Sequence, residues 1–206
     1  HVLANTNEAQ IGDAILQPGP YDGGKFPQDH IANLREFITI SIIGVPSSCS
    51  LAQGVASFFN ALAALLGSST RLNTIKILAS DNLVDAALAE PLNINDVSSD
   101  ILEIGKVKGM VEGELGMTVK KSGRTTGLTT GEILQVDVTA NVQYGTGKIA
   151  RFTDQLLTGP MSQGGDSGSA VLDQDNNLVG LLFAGSDTVT IINRAQNVFS
   201  LLGLSL

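Results

Sequence analysis

Most of the chain alternates short apolar runs with glycine-rich polar breaks, and one segment departs from that rhythm. Leu51, Val55, Phe58, Phe59, Leu62, Leu65 and Leu66 recur at the spacing of a helical face. Ser50 reads as the N-cap and Gly67 as the residue just past the end, which predicts about four turns. Such a stripe is expected to lie against the core, with a partner surface as the alternative. A closing helix is predicted over 194–204, with Val198, Leu201 and Leu202 on one face.

Elsewhere the pattern predicts strands. Residues 37–43 (FITISII) are apolar and β-branched, and Pro46 ends the run. Further strands are expected at 74–78, 82–88, 101–104, 117–121, 132–139, 148–152, 170–173, 178–184 and 188–192. Many short strands parted by turn residues predict a mostly β sandwich or barrel. Residues 1–30 carry the turn signals Gln17-Pro18-Gly19-Pro20 and Tyr21-Asp22-Gly23-Gly24 and are expected to form an ordered loop. Gly105, Gly109, Gly113 and Gly116 cluster where a boundary between domains would fall.

Composition and charge remove several function classes. A length of 206 residues suits one large domain or two small ones. The net charge of -8 offers no positive surface for nucleic acid or for an anionic membrane. No apolar run is long enough for a membrane span, so a soluble protein is expected. Cys49 is the single cysteine, which excludes an intrachain disulfide. Two histidines and one cysteine at scattered positions match no metal-ligand spacing, and Gly145-Thr146-Gly147-Lys148 lacks the phosphate-loop pattern. Neither a metal nor a cofactor is expected. The chain begins at His1 rather than Met, so any targeting segment is expected upstream, and the compartment stays unknown.

The sharpest chemical signal is Gly165-Asp166-Ser167-Gly168-Ser169. A hydroxyl that attacks a carbonyl needs a base for its proton and amide donors for the oxyanion. Glycines let the backbone approach a substrate closely, and the amides of Gly165 and Ser167 would then face the oxyanion. The alternative is a plain Gly/Asp turn between two strands. About forty residues earlier stands Lys121-Ser122-Gly123-Arg124-Thr125-Thr126-Gly127.

Those two motifs, with the 178–185 strand (LVGLLFAG), resemble the second barrel of bacterial trypsin-like, chymotrypsin-fold serine peptidases. The stretch looks like the alpha-lytic protease and streptogrisin group in particular. In that group a disulfide flanks the Ser-Gly-Arg-Thr-Thr-Gly run, whereas Lys120 and Thr130 stand at those positions here. His1-Val2-Leu3-Ala4-Asn5 resembles the catalytic-histidine segment, and Asn82-Leu83-Val84-Asp85-Ala86-Ala87-Leu88 the catalytic-aspartate strand. The order His, Asp, Ser is that of the chymotrypsin class.

The resemblance implies a chymotrypsin-like double β-barrel with a helical insertion and a C-terminal helix. Residues 1–108 would form an incomplete first barrel with an insertion at about 28–70, and 109–206 the second barrel and closing helix. It implies a serine endopeptidase acting on polypeptides, with Ser167 as nucleophile, His1 as base and Asp85 orienting the base. His30 is the rival base, closer to Asp85 in sequence but without family-like context, and reads otherwise as an exposed loop side chain. Asp22, Asp29 and Asp166 are weaker candidates for the acid, and Asp166 reads as a turn residue. Met161 stands six residues before Ser167, where trypsin-type enzymes carry an acid. With Phe183, Ala184 and Gly185 as the strand beside the substrate, Met161 predicts an apolar first specificity pocket.

In that family two strands precede the catalytic histidine, and a barrel without them would leave open edges. An N-terminal piece of the same precursor, or a neighbouring subunit of a homo-oligomer, is therefore expected near 37–43 and 74–78. The alternative function is a catalytically weak peptidase-fold module that works in binding or assembly.

Overall fold

The computed structural model describes residues 6–43, 45–76, 81–145 and 148–205. In chain order the first strands are β1 (Ala14–Leu16), β2 (His30–Phe37), β3 (Ile42–Ile43), β4 (Val45–Pro46) and β5 (Ile75–Lys76). Next come β6 (Ala87–Pro91), β7 (Asp100–Ile101), β8 (Gly105–Lys106), β9 (Gly109–Met110) and β10 (Thr118–Gly123). The last are β11 (Gly127–Gln143), β12 (Ile149–Thr158), β13 (Ala170–Leu172), β14 (Asn177–Gly185) and β15 (Thr190–Arg194). Helix α1 spans Ser50–Leu65 and α2 spans Ala195–Leu201.

The chain forms two compact units. The larger holds the residues up to Ile40, Leu83–Ala140 and those from Phe152 onward. Its main sheet runs β11-β10-β13-β14-β15-β12, and β12 returns to pair with β11. A sheet whose last strand meets its first is a closed barrel, and closure removes the unpaired edges. Its interior is filled by Val119, Ile133, Leu156, Met161, Val171, Val179, Leu182 and Ile192. Complete burial stabilises each such side chain by roughly 1.5–3 kcal/mol.

Strand β14 reads NLVGLLFAG without alternation, because both of its faces are covered. Leu182 points into the barrel, while Leu181 packs with Val84, Ala86, Val198 and Leu202 beneath α2. That second cluster fixes the 84–86 segment. A smaller sheet, β1-β2-β6, completes this unit, with Ala14 opposite Asn33 and Phe37 opposite Ala87.

The smaller unit comprises Ser41–Asn82 and Asn141–Arg151. Ile42 and Ile43 pair with Ala150 and Ile149 at the start of β12. Strands β4 and β5 form a two-residue ladder around α1. The Asn82 side chain ties Ser41 to Arg151 through their backbones, at 2.7–3.0 Å.

Several sequence expectations need correction. Residues 37–43 are not one strand, since Phe37 ends β2 and only Ile42–Ile43 pair again. The stretch 1–30 is not loop alone, because it contains β1 and ends on the first residue of β2. Residues 82–86 are not a continuous strand. There the Asn193 side chain takes the Asp85 backbone hydrogen bonds that a neighbouring strand would supply. Residues 102–104 turn between β7 and β8. Strands β11 and β12 outrun their apolar segments, because an antiparallel ladder satisfies polar backbone as well as apolar. Of the 74–78 strand, Ile75 and Lys76 pair, and 77–78 lie outside the described residues.

The largest correction concerns α1. No residue of this helix is buried, so the stripe expected in the core lies on the surface. Cys49 rather than Ser50 is its N-cap, and no side chain caps it. Gly67 follows the helix at φ 73°, as its position predicted. In α2, Val198 is buried, while Leu201 is 43% exposed and off the core-facing side expected of it. Among the described residues no helix is long and apolar enough to cross a membrane.

Candidate active site

The two motifs read from the sequence meet in the larger unit. Strand β10 ends at Gly123 and β11 starts at Gly127, so Gly-Arg-Thr-Thr-Gly is the tip of a hairpin. Asp166, 1% exposed, reaches into that tip. Its Oδ1 accepts from the amides of Thr125 (2.8 Å) and Thr126 (3.2 Å). Its Oδ2 accepts from Thr126 Oγ1 (2.7 Å) and the Gln163 amide (3.0 Å). The Lys121 ammonium, itself fully buried, stands 3.4 Å from Oδ2 and donates to Thr126 Oγ1 and to the Gly127 carbonyl. A Cβ on Gly123 would fall 2.4 Å from Asp166 Oδ1, so only glycine fits there. Gly165 has φ 102°, and a Cβ on it would lie 2.4 Å from Thr125 Oγ1.

Asp166 is therefore not the simple turn residue expected; it anchors the Ser167 turn to the hairpin. Burial by itself would raise its pKa. The hydrogen bonds from Gln163, Thr126 and Thr125 outweigh that and hold the carboxyl at about 2, below the ordinary 3.8. A depressed folded-state pKa adds stability that is fully present above about pH 4 and is lost as pH falls towards 2. The shift corresponds to about 2 kcal/mol at neutral pH. Urea unfolding from pH 6 to pH 2 should show wild type losing more stability than Asp166→Asn by about this amount. Parallel losses in the two proteins would contradict the anchor role.

Ser167 is half-buried, and its hydroxyl donates to the Phe183 carbonyl at 3.3 Å. The amides around it divide into two groups. Those of Asp166, Gly168 and Ser169 donate to the Gln163, Leu182 and Asp166 carbonyls at 3.1, 2.7 and 3.1 Å. Those of Gly165 and Ser167 make no hydrogen bond among the described residues.

Asp85 is buried, and Asn193 on β15 grips its backbone from both sides. The Asp85 amide donates to Asn193 Oδ1 (3.2 Å), and Asn193 Nδ2 donates to the Asp85 carbonyl (3.1 Å). This clamp was not anticipated, because nothing local to either residue signals a bond across 108 positions. His1 lies outside the described residues. His30 is not a loop side chain as expected but opens β2. Its Nε2 lies 2.9 Å from Asn33 Oδ1 and its ring is 5.4 Å from Phe26. Asp22 pairs with Arg124, which also stacks 5.0 Å over Tyr21, and Asp29 accepts from the Lys25 amide.

Met161 is 4% exposed and belongs to the barrel core. Its amide donates to Thr190 Oγ1 (3.2 Å), and its carbonyl accepts from Thr129 Oγ1 (2.7 Å). A cleft of about 260 Å³ is lined by Thr126, Thr129, Pro160, Met161, Ser162, Gln163 and Asp187. Its hydroxyls are occupied, since Thr126 bonds Asp166, Thr129 bonds Met161, and Ser162 shares a 2.8 Å bond with Thr190. Phe183 is buried against Phe152, with ring centroids 4.7 Å apart. Ala184 is half-buried, and Gly185 is exposed where β14 ends. Among the described residues no cluster of three His, Cys, Asp or Glu side chains could hold a metal.

A barrel with a Gly-Asp-Ser-Gly turn locked against its first hairpin defines a class of protein, the chymotrypsin-like fold. Crystal structures of bacterial serine proteases share it. Protease A of Thermobifida fusca matches at a TM-score of 0.51 and 22% identity, over 65% of this chain and 74% of that one. The Nocardiopsis protease matches at a TM-score of 0.50 and 19% identity, over 64% and 72%. No family model and no curated protein matches the sequence. The fold is therefore that of bacterial chymotrypsin-like serine proteases, as the resemblance implied.

Proposed function

We propose that the protein is a serine endopeptidase that hydrolyses peptide bonds through an acyl-enzyme on Ser167. The observation that carries this reading is the turn around Ser167, held by Asp166, with the two amides of Gly165 and Ser167 left to donate. Ser167 Oγ attacks the scissile carbonyl carbon, and His1 takes the hydroxyl proton. The oxyanion that forms accepts from the Gly165 and Ser167 amides. His1 returns the proton to the departing amine as the C–N bond breaks. A water then repeats the sequence on the ester and frees the acid, while Asp85 keeps the imidazole in its tautomer. Covalent labelling by a fluorophosphonate should map to the peptide containing Ser167, and label on another serine would overturn the assignment.

We read this cleft, which Gln163 and Asp187 line together with Met161 and Pro160, as the first specificity pocket and propose that its apolar part sets the preference. Met161 and Pro160 supply its apolar surface, and its hydroxyls are already bonded within the protein. The backbone of Phe183, Ala184 and Gly185 would pair with the extended substrate. A peptide library should show preference for an uncharged hydrophobic residue before the cleaved bond. A preference for Lys or Arg that Asp187→Asn removes would overturn this reading and assign selectivity to the carboxylate at the cleft.

A further inference from the structure

Helix α1 is inside out by the usual standard of amphipathic helices. Its least exposed positions are Ala52, Ala56, Asn60 and Ala63. Asn60 exchanges two hydrogen bonds with the Leu72 backbone (2.9 and 2.7 Å), and Gln53 Nε2 donates to the Ser47 carbonyl (2.7 Å). Small and amide-bearing residues thus hold the helix to its own unit. The stripe of Leu51, Val55, Phe58, Phe59, Leu62, Leu65 and Leu66 lies outside, each residue 44–85% exposed. No charged residue occurs between Glu36 and Arg71.

We infer that α1 is a self-association surface, through which a second copy of this chain packs stripe against stripe. Area is the first argument. At 150–250 Å² for a large side chain, the stripe exposes about 800 Å² of apolar surface. That exceeds the 300–600 Å² of the largest patch on a typical monomer, and it equals the ~800 Å² that each partner buries in a standard interface.

Charge is the second argument. Two copies of net charge -8 repel wherever charged surfaces meet, and the stripe is the place where they can touch without that penalty. A two-fold contact also requires a patch complementary to itself, which an uncharged apolar stripe provides. A lipid surface fits less well, because helices that lie in bilayers carry Lys or Arg on the polar face, and α1 has Gln53, Ser57 and Asn60 instead. Phe58 and Phe59, packed edge to face with centroids 5.5 Å apart, lie midway along the stripe, where the two-fold axis would pass.

Sedimentation of the full chain from nanomolar to high micromolar concentration tests the inference. Wild type should move from 21.4 kDa to twice that mass. The double variant Phe58→Glu, Leu62→Glu should weaken association by about 100-fold or more, since it places unpaired charge in an apolar contact. At the nanomolar end, where both proteins are monomers, its circular dichroism and melting temperature should match those of wild type, because both positions are exposed. In a Cys49→Ser background, Phe58→Cys should form a disulfide-linked dimer on mild oxidation, an arm that does not depend on the charged variant. A wild type that stays monomeric throughout would overturn the inference. So would a dimer that survives the double variant without the 58–58 cross-link, or a monomer that floats with neutral phosphatidylcholine vesicles.

Discussion

Ser167→Ala should abolish labelling by a fluorophosphonate and lower peptide hydrolysis by about 10⁴-fold or more, as loss of the nucleophile does in triad enzymes. The fold should be unaffected. The hydroxyl makes a single 3.3 Å bond, to the Phe183 carbonyl, so its removal costs no more than about 1 kcal/mol. The Gly165 and Ser167 amides remain in the variant, so a residual rate above that in water is expected from oxyanion stabilisation alone. Burst kinetics with an active ester would show this directly, with an acyl burst in wild type and none in the variant. Undiminished hydrolysis by Ser167→Ala would mean that the Gly-Asp-Ser-Gly turn is only a turn.

The second large effect separates the two histidines. His1→Ala should reduce turnover by about 10⁴-fold, because an uncharged serine hydroxyl is a poor nucleophile without a base. His30→Ala should leave turnover nearly unchanged. The His30 ring is committed to Asn33 and Phe26 and, among the described residues, meets neither Ser167 nor Asp85. Its loss should appear instead as about 0.5–1.5 kcal/mol of stability, the worth of one ordinary hydrogen bond. Steady-state rates and thermal melts of the two variants, measured side by side, distinguish these outcomes. The reverse pattern would make His30 the base.

Much of the larger unit was legible in the sequence, and the reason is local. Strands β10, β13 and β14 were recognisable because apolar runs end in glycine or polar turns, and backbone preference acts within a few residues. Ser-Gly-Arg-Thr-Thr-Gly and Gly-Asp-Ser-Gly-Ser were each visible as turns. What their pairing meant was not visible. Gly123 and Gly165 are required because the Asp166 carboxylate and the Thr125 side chain come within 2.4 Å of where a Cβ would stand. That crowding exists only after the chain has brought residues about forty positions apart together. Asp166 looked like a turn former for the same reason, as its donors on Thr125 and Thr126 belong to another hairpin.

The sequence by itself determined the strand-rich character, the Gly-Asp-Ser-Gly turn, the position of both helices and the lack of charge along α1. Only the tertiary structure decided barrel closure, since β12 returning to β11 depends on the summed twist and stagger of six strands. It also decided that Asn193 would grip Asp85, a bond between residues 108 positions apart. And it decided which face of α1 turns outward. Periodicity reports that a helix has an apolar stripe, but the direction the stripe faces depends on what its other face can bond. Here Asn60 and Gln53 find backbone partners at Leu72 and Ser47, and the apolar residues are left to the surface.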